Sequence, residues 1–184
     1  RTITILPGIK FKKRVAKPRL QANNGYNISA ELSGSPFSIS GYSRFIQPRI
    51  KVKTLTTIGR DSRLILRGNL ILTFIRKLTD LPLSLRPMAG GSQSIRGFAY
   101  NSKYNGKDLL VGSVEWQQRL YKSLYIAAFY DIGTVSDGLN GIYYQGAGPG
   151  LVWVTKIGDF SFTFAKQINP KGSWLFQFNI GPEV

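Results

Sequence analysis

Cysteine and histidine are both absent from this 184-residue chain. Without cysteine there is no disulfide and no thiolate metal site. Without histidine the commonest general base and the commonest metal ligand are missing. Acid is scarce too, with nine Asp and Glu in all. A hydrolase or metalloenzyme would have to be assembled from those carboxylates alone, so the sequence reads as non-enzymatic, with no metal and no cofactor. No apolar run approaches the roughly 18 residues of a membrane helix. No basic segment followed by an apolar one marks a secretory leader. The chain opens on Arg1, and the expectation is a piece of a longer mature protein.

What is plentiful is positive charge, unevenly placed. Residues 1–86 hold 17 Lys and Arg against three acids, Glu31, Asp61 and Asp80, for +14 of the total +16. Residues 87–184 hold eight against six. Such a balance points to nucleic acid, anionic lipid or an acidic partner. Aromatic residues reach 12%, spread through short segments, so their meaning depends on their period.

That period is two. Phe160, Phe162 and Phe164 alternate with Asp159, Ser161 and Thr163; Trp174, Phe176, Phe178 and Ile180 alternate with Ser173, Gln177 and Asn179. Leu110, Val114, Trp116 and Leu120 oppose Ser113, Glu115, Gln117 and Arg119. In the first half Leu64, Leu66 and Leu70 oppose Arg63, Arg67 and Asn69, while Ile46, Ile50 and Val52 oppose Arg49, Lys51 and Lys53. Ile28 and Leu32 oppose Asn27, Ser29 and Glu31, and Ile9 and Phe11 oppose Lys10 and Lys12. In 124–135, Asp131 falls opposite Leu124, Ile126 and Ala128; in 143–154, Gly146, Gly148 and Gly150 alternate with larger residues. Side chains on a strand alternate between two faces, so about nine strands are predicted, each near the ~9–11 residues that cross a bilayer at a tilt. Turns are expected at Asn23-Asn24-Gly25, Gly59-Arg60-Asp61, Tyr121-Lys122, 137–141, Gly158-Asp159 and 169–172. Residues 79–107 do not alternate and are too long for an ordinary hairpin loop.

A soluble sandwich and a membrane barrel both alternate. In a sandwich the apolar face is the interior. Here the opposite face is rich in charge, which lipid-facing apolar residues and a polar lumen explain directly. Tyr26, Tyr100, Tyr121, Tyr143, Trp153 and Trp174 suit the aromatic girdles of a membrane interface. The expected class is all-β, an antiparallel transmembrane barrel. Nine strands is an odd number, whereas single-chain bacterial barrels have an even one. Either further strands precede Arg1, or the sheet edges pair with another copy.

Within the long segment lies Met88-Ala89-Gly90-Gly91-Ser92-Gln93-Ser94-Ile95-Arg96-Gly97-Phe98. A glycine-rich loop with one arginine can cradle phosphate, but this one lacks the Gly-Lys-Ser/Thr ending of a P-loop and opens no helical pattern. Ile95 and Phe98 suggest a packed hairpin tip. The segment resembles the sixth-loop signature of the BamA/TamA superfamily of outer-membrane assembly barrels. Phe129-Tyr130-Asp131-Ile132-Gly133 resembles that family's aromatic-x-Asp-x-Gly strand, and Val114-Glu115-Trp116 the strand before it. Leu6-Pro7-Gly8-Ile9, Gly25-Tyr26, Leu81–Arg86 and the ending Ile180-Gly181-Pro182-Glu183-Val184 are similar to the TamA branch.

The resemblance implies a C-terminal portion, residues 1–184, of a larger barrel of about 16 strands, with POTRA domains and the first strands upstream. The loop within 79–107 would fold into the lumen. Its motif Gly90, Gly91, Ser94, Ile95, Arg96, Gly97 and Phe98 would lock there, Arg96 pairing with Asp131 and Glu115. The last strand, with Trp174, Phe176, Phe178, Ile180 and Gly181, would border a lateral seam where client strands add by edge pairing. The implied partners are the lipid bilayer, client outer-membrane or secreted proteins, and a periplasm-spanning subunit; the implied place is the outer membrane of a Gram-negative bacterium. A polypeptide-secretion transporter or a barrel anchor carries the same motifs. A soluble basic β-module binding nucleic acid is the competing class, and predicts steeply salt-dependent binding.

Overall fold

The computed structural model describes residues 6–17, 24–35, 44–103, 106–155 and 158–181. Nine antiparallel strands follow one another in a single meander: β1 (Gly8–Lys17), β2 (Asn24–Ser35), β3 (Phe45–Ile58), β4 (Ser62–Ile71), β5 (Asp108–Tyr121), β6 (Leu124–Ser136), β7 (Tyr144–Thr155), β8 (Gly158–Asn169) and β9 (Trp174–Gly181). Each pairs only with its sequence neighbours, so β1 and β9 are the two edges. The order is the all-β barrel wall the alternation predicts. Two expected turns are strand instead: Asn24-Gly25 opens β2 and Gly158-Asp159 opens β8; Asn23 lies outside the described residues. Asn24 shows why a turn-type residue is tolerated there, since its Oδ1 accepts the Thr57 N–H at 2.9 Å across the pair.

The two faces differ as the period requires. The outer face carries Phe11, Ile28, Ile50, Leu66, Trp116, Ile126, Trp153, Phe162, Phe164, Phe176 and Phe178, all exposed. Several rings meet side by side across β8 and β9: Phe162 and Phe178 have centroids 4.9 Å apart, and Phe164 stacks on Trp174 at 4.8 Å. An apolar surface this continuous is far beyond the isolated exposed residues of a soluble protein. Leaving each such side chain in water forgoes about 1.5–3 kcal/mol of transfer free energy, which hydrocarbon supplies. Tyr121, Trp153 and Trp174 stand on or beside strands at the edge of this band, but Tyr100 sits within the long loop and takes no part in it.

The inner face is where segment 72–107 packs. Short connections at 59–61 and 122–123 lie at one end of the sheet; the 72–107 segment and 137–143 lie at the other. Short turns on one rim and long loops on the opposite one is the barrel pattern. Cross-strand register aligns Arg14, Asn27, Lys53, Arg67, Ser113, Asp131, Gly146 and Gln167 in one row across eight strands. The next row holds Leu55, Ile65, Glu115, Phe129 and Gly148.

In detergent micelles the protein is expected to give β-type circular dichroism and a gel mobility that shifts on boiling. In plain buffer neither should appear. A folded, unshifted monomer without detergent would contradict the assignment of the outer face to lipid.

Candidate functional site

The long loop returns into the sheet as a hairpin of its own. Ala89 and Lys103 exchange both backbone hydrogen bonds, at 2.8 and 3.1 Å, and the Gly91 N–H donates to the Phe98 carbonyl at 3.0 Å. Its tip needs left-handed backbone: φ is +108° at Gly90, +96° at Gly91 and +91° at Gly97. Side chains rarely adopt that region, and a Cβ at Gly90 would collide with the Ala99 carbonyl oxygen. Ile95 and Phe98 then anchor the tip by burial with Ile71, Ala89, Leu109, Val111 and Val135. Phe98 also meets Tyr144 edge-on at 5.5 Å.

Between these two anchors Arg96 is driven into the wall. Its side chain is 3% exposed and that of Asp131 0%. The guanidinium engages Asp131 bidentately, Nε to Oδ2 at 2.7 Å and Nη2 to Oδ1 at 2.8 Å, and the Arg96 backbone N–H adds a third bond to Oδ2 at 2.9 Å. Nη1 donates to Glu115 Oε2, and Nη2 also reaches Ser113 Oγ at 3.2 Å. The plane lies over Phe129, with Cζ 3.5 Å from the ring centroid, a cation–π contact strengthened by desolvation. The planar fork matches two carboxylates in a way an ammonium cannot. The motif residues Gly90 to Phe98 and both acids are therefore in one cluster.

Sequence reasoning missed several members. Arg67 on β4 places Nη2 3.5 Å from Glu115 and 3.8 Å from Asp131. Together with the partly exposed Arg67, the charges thus form a quartet of two cations and two anions. Gln117 Nε2 donates to the other Glu115 oxygen at 2.6 Å, and Arg63 donates in turn to Gln117 Oε1. Gly146 and Gly133 make room: a Cβ on Gly146 would strike the Arg96 carbonyl oxygen, and one on Gly133 would lie 2.9 Å from Ile95 Cδ1. Of the alternating glycines of β7, Gly146 is approached by the loop, while Gly148 and Gly150 are approached by the backbone and side chains of β8.

The same loop reaches the last strand. Gln177 of β9 accepts the Gly97 N–H at 3.3 Å and donates to the Phe98 carbonyl at 3.1 Å, satisfying two backbone groups of the tip. Gln93 donates to Asn179 at 2.6 Å, and Gln167 of β8 donates to the Gly97 carbonyl at 2.7 Å. Trp174, Phe176, Phe178 and Ile180 point outward from β9, away from the cluster, while Gly181 lies on the inner face beside Gln93. Residues 182–184 lie outside the described residues.

Removing one partner of a buried, hydrogen-bonded ion pair costs about 3–5 kcal/mol. Asp131→Asn is expected to destabilise by that scale. Glu115→Gln should cost less, because its carboxylate takes only one bond from Arg96. The temperature at which the gel shift is lost measures both. Equal midpoints for the two variants and the wild type would remove the quartet as a source of stability.

Residues 20–183 match the model of the Omp85 superfamily domain. The fold is similar to that in the crystal structure of BamA from Haemophilus ducreyi lacking POTRA domains 1–3, with a TM-score of 0.71 at 19% identity. The match covers 93% of this chain and 40% of that one, so the chain spans well under half of its solved relative. With nearly its whole length under the family model, the chain belongs to the Omp85 superfamily.

Proposed function

We propose that this chain is the seam-bearing part of an outer-membrane barrel that assembles or exports client polypeptides, in a Gram-negative bacterium. The observation that carries the reading is the double attachment of the loop. One end of its tip is fixed to β5 and β6 through Arg96, and the other to β9 through Gln177 and Gln93. Strand β9 has a neighbour only on its β8 side among the described residues. Its free edge presents unpaired backbone groups, the template on which another strand can add. No catalysis is required for this. The work is mechanical: strand exchange at an edge, with the loop bracing the wall beside it. Among superfamily branches we place the chain nearest TamA, on the sequence segments Leu6–Ile9, Leu81–Arg86 and Ile180–Val184. The implied partners are the bilayer, client β-barrel or secreted proteins, and a periplasm-spanning subunit held by upstream domains.

Two variants separate bracing from stability. Gln177→Ala removes two neutral hydrogen bonds, worth about 0.5–1.5 kcal/mol each, and leaves the ion quartet intact. It should retain the heat-sensitive gel shift yet slow client assembly by the full-length protein in liposomes. Arg96→Ala should impair both. Wild-type assembly by both variants would overturn the role given to the loop.

A further inference from the structure

The inner face of β1–β4 carries charge that the loop cluster does not use. Lys12 and Lys51 flank Ser29 in one cross-strand row, and Lys53 faces Arg67 directly in the adjoining one. Arg67 is answered by Glu115 and Asp131, whereas Lys12 and Lys51 add like charge to one face, which an anion lying over them would relieve. Glu31 is the one carboxylate on the inner face of these strands, and it is engaged with Lys10 at 3.2 Å. Lys12 and Lys51 are exposed and have no carboxylate within ion-pair distance among the described residues.

These side chains line a groove of about 350 Å³ that runs from β1 to the loop tip, where Gln93 and Ser94 close it. A second observation points to an occupant. Arg67 Nε, Asn69 Oδ1 and Ser94 Oγ all belong to groove residues, all are buried, and none has a hydrogen-bond partner within the protein. Buried polar atoms of this kind are costly to leave unmatched. Two of them can donate, and one accepts.

From this we propose that the groove binds an acidic polypeptide segment in extended form. Carboxylates answer the lysines and Arg67 Nε. A backbone N–H answers Asn69 Oδ1, which a phosphodiester has no hydrogen to do. No aromatic ring lines the groove, so it offers no platform for nucleic-acid bases. It opens on the face opposite the apolar belt, away from lipid headgroups. Lysines are flexible point charges with no fixed fork, which suits a partner specified by charge more than by sequence. The inference rests on the inner face being the water-filled side of the wall. It does not depend on assembly activity.

The test is fluorescence anisotropy of a labelled Glu-rich peptide with the full-length protein in neutral detergent micelles. The peptide should bind, weaken steeply with salt, and be matched neither by a Lys-rich peptide nor by inorganic phosphate as competitor. The double variant Lys12→Gln, Lys51→Gln should bind about fivefold more weakly, the combined scale of two exposed ion pairs. Asn69→Ala, which keeps every charge, should also weaken it. The gel shift on boiling is recorded for each protein. A wild type that shifts on boiling and ignores the peptide overturns the groove while leaving the barrel standing. So does unchanged binding by folded variants, and full displacement by phosphate would reassign the site to a small anion.

Discussion

The docking of the loop on the inner face is arranged around one guanidinium held out of water. Desolvating a charge costs several kcal/mol even after the protein relaxes. Arg96 tolerates it because each of its three nitrogens finds an oxygen and its plane finds Phe129. Arg67 brings the second positive charge that Asp131 and Glu115 together require. The rest follows from placing that group there. The tip needs glycines to turn, Ile95 and Phe98 to fix its depth, and a β7 stripped of side chains where its backbone passes.

The outer face obeys a simpler constraint. A barrel wall in hydrocarbon must satisfy its backbone by strand pairing alone, and its side chains need only be apolar. The aromatic pairs across β8 and β9 fit that demand. Specificity therefore resides inside, where polar side chains of adjacent strands can be matched against one another and against the loop. The amides of β8 and β9 show this: Gln167, Gln177 and Asn179 all spend their hydrogen bonds on the loop.

Much of this was legible because lipid and water impose opposite tastes on alternate residues. That parity alone gave nine strands and put Glu115 and Asp131 on the polar face. The loop signature supplied Arg96. Arg67 was assigned to the correct face, yet its membership of the cluster depends on the register between β4 and β5. The 72–107 segment joins those strands, and a connection that long fixes no register by itself. The glutamines of β8 and β9 carried no signal, since polar amides are ordinary on a lumen wall. Asn24-Gly25 and Gly158-Asp159 have turn chemistry, but the hairpin ladders run through them. Tyr100 fits an interfacial girdle by type and misses it by position.

The row that joins Arg67, Ser113, Asp131 and Gly146 crosses four strands, and Arg96 touches or flanks every one of its members. A slip of one residue in β6 would turn its carboxylate to the lipid side. A slip of two would carry it almost 7 Å along the strand, beyond the reach of a guanidinium whose neighbours Ile95 and Phe98 are already seated. A slip of one residue in β7 would bring Ala147 or Gln145 under the Arg96 carbonyl. The loop can dock only on a wall whose strands are in step, so one buried ion pair ties the position of the loop to the alignment of the sheet.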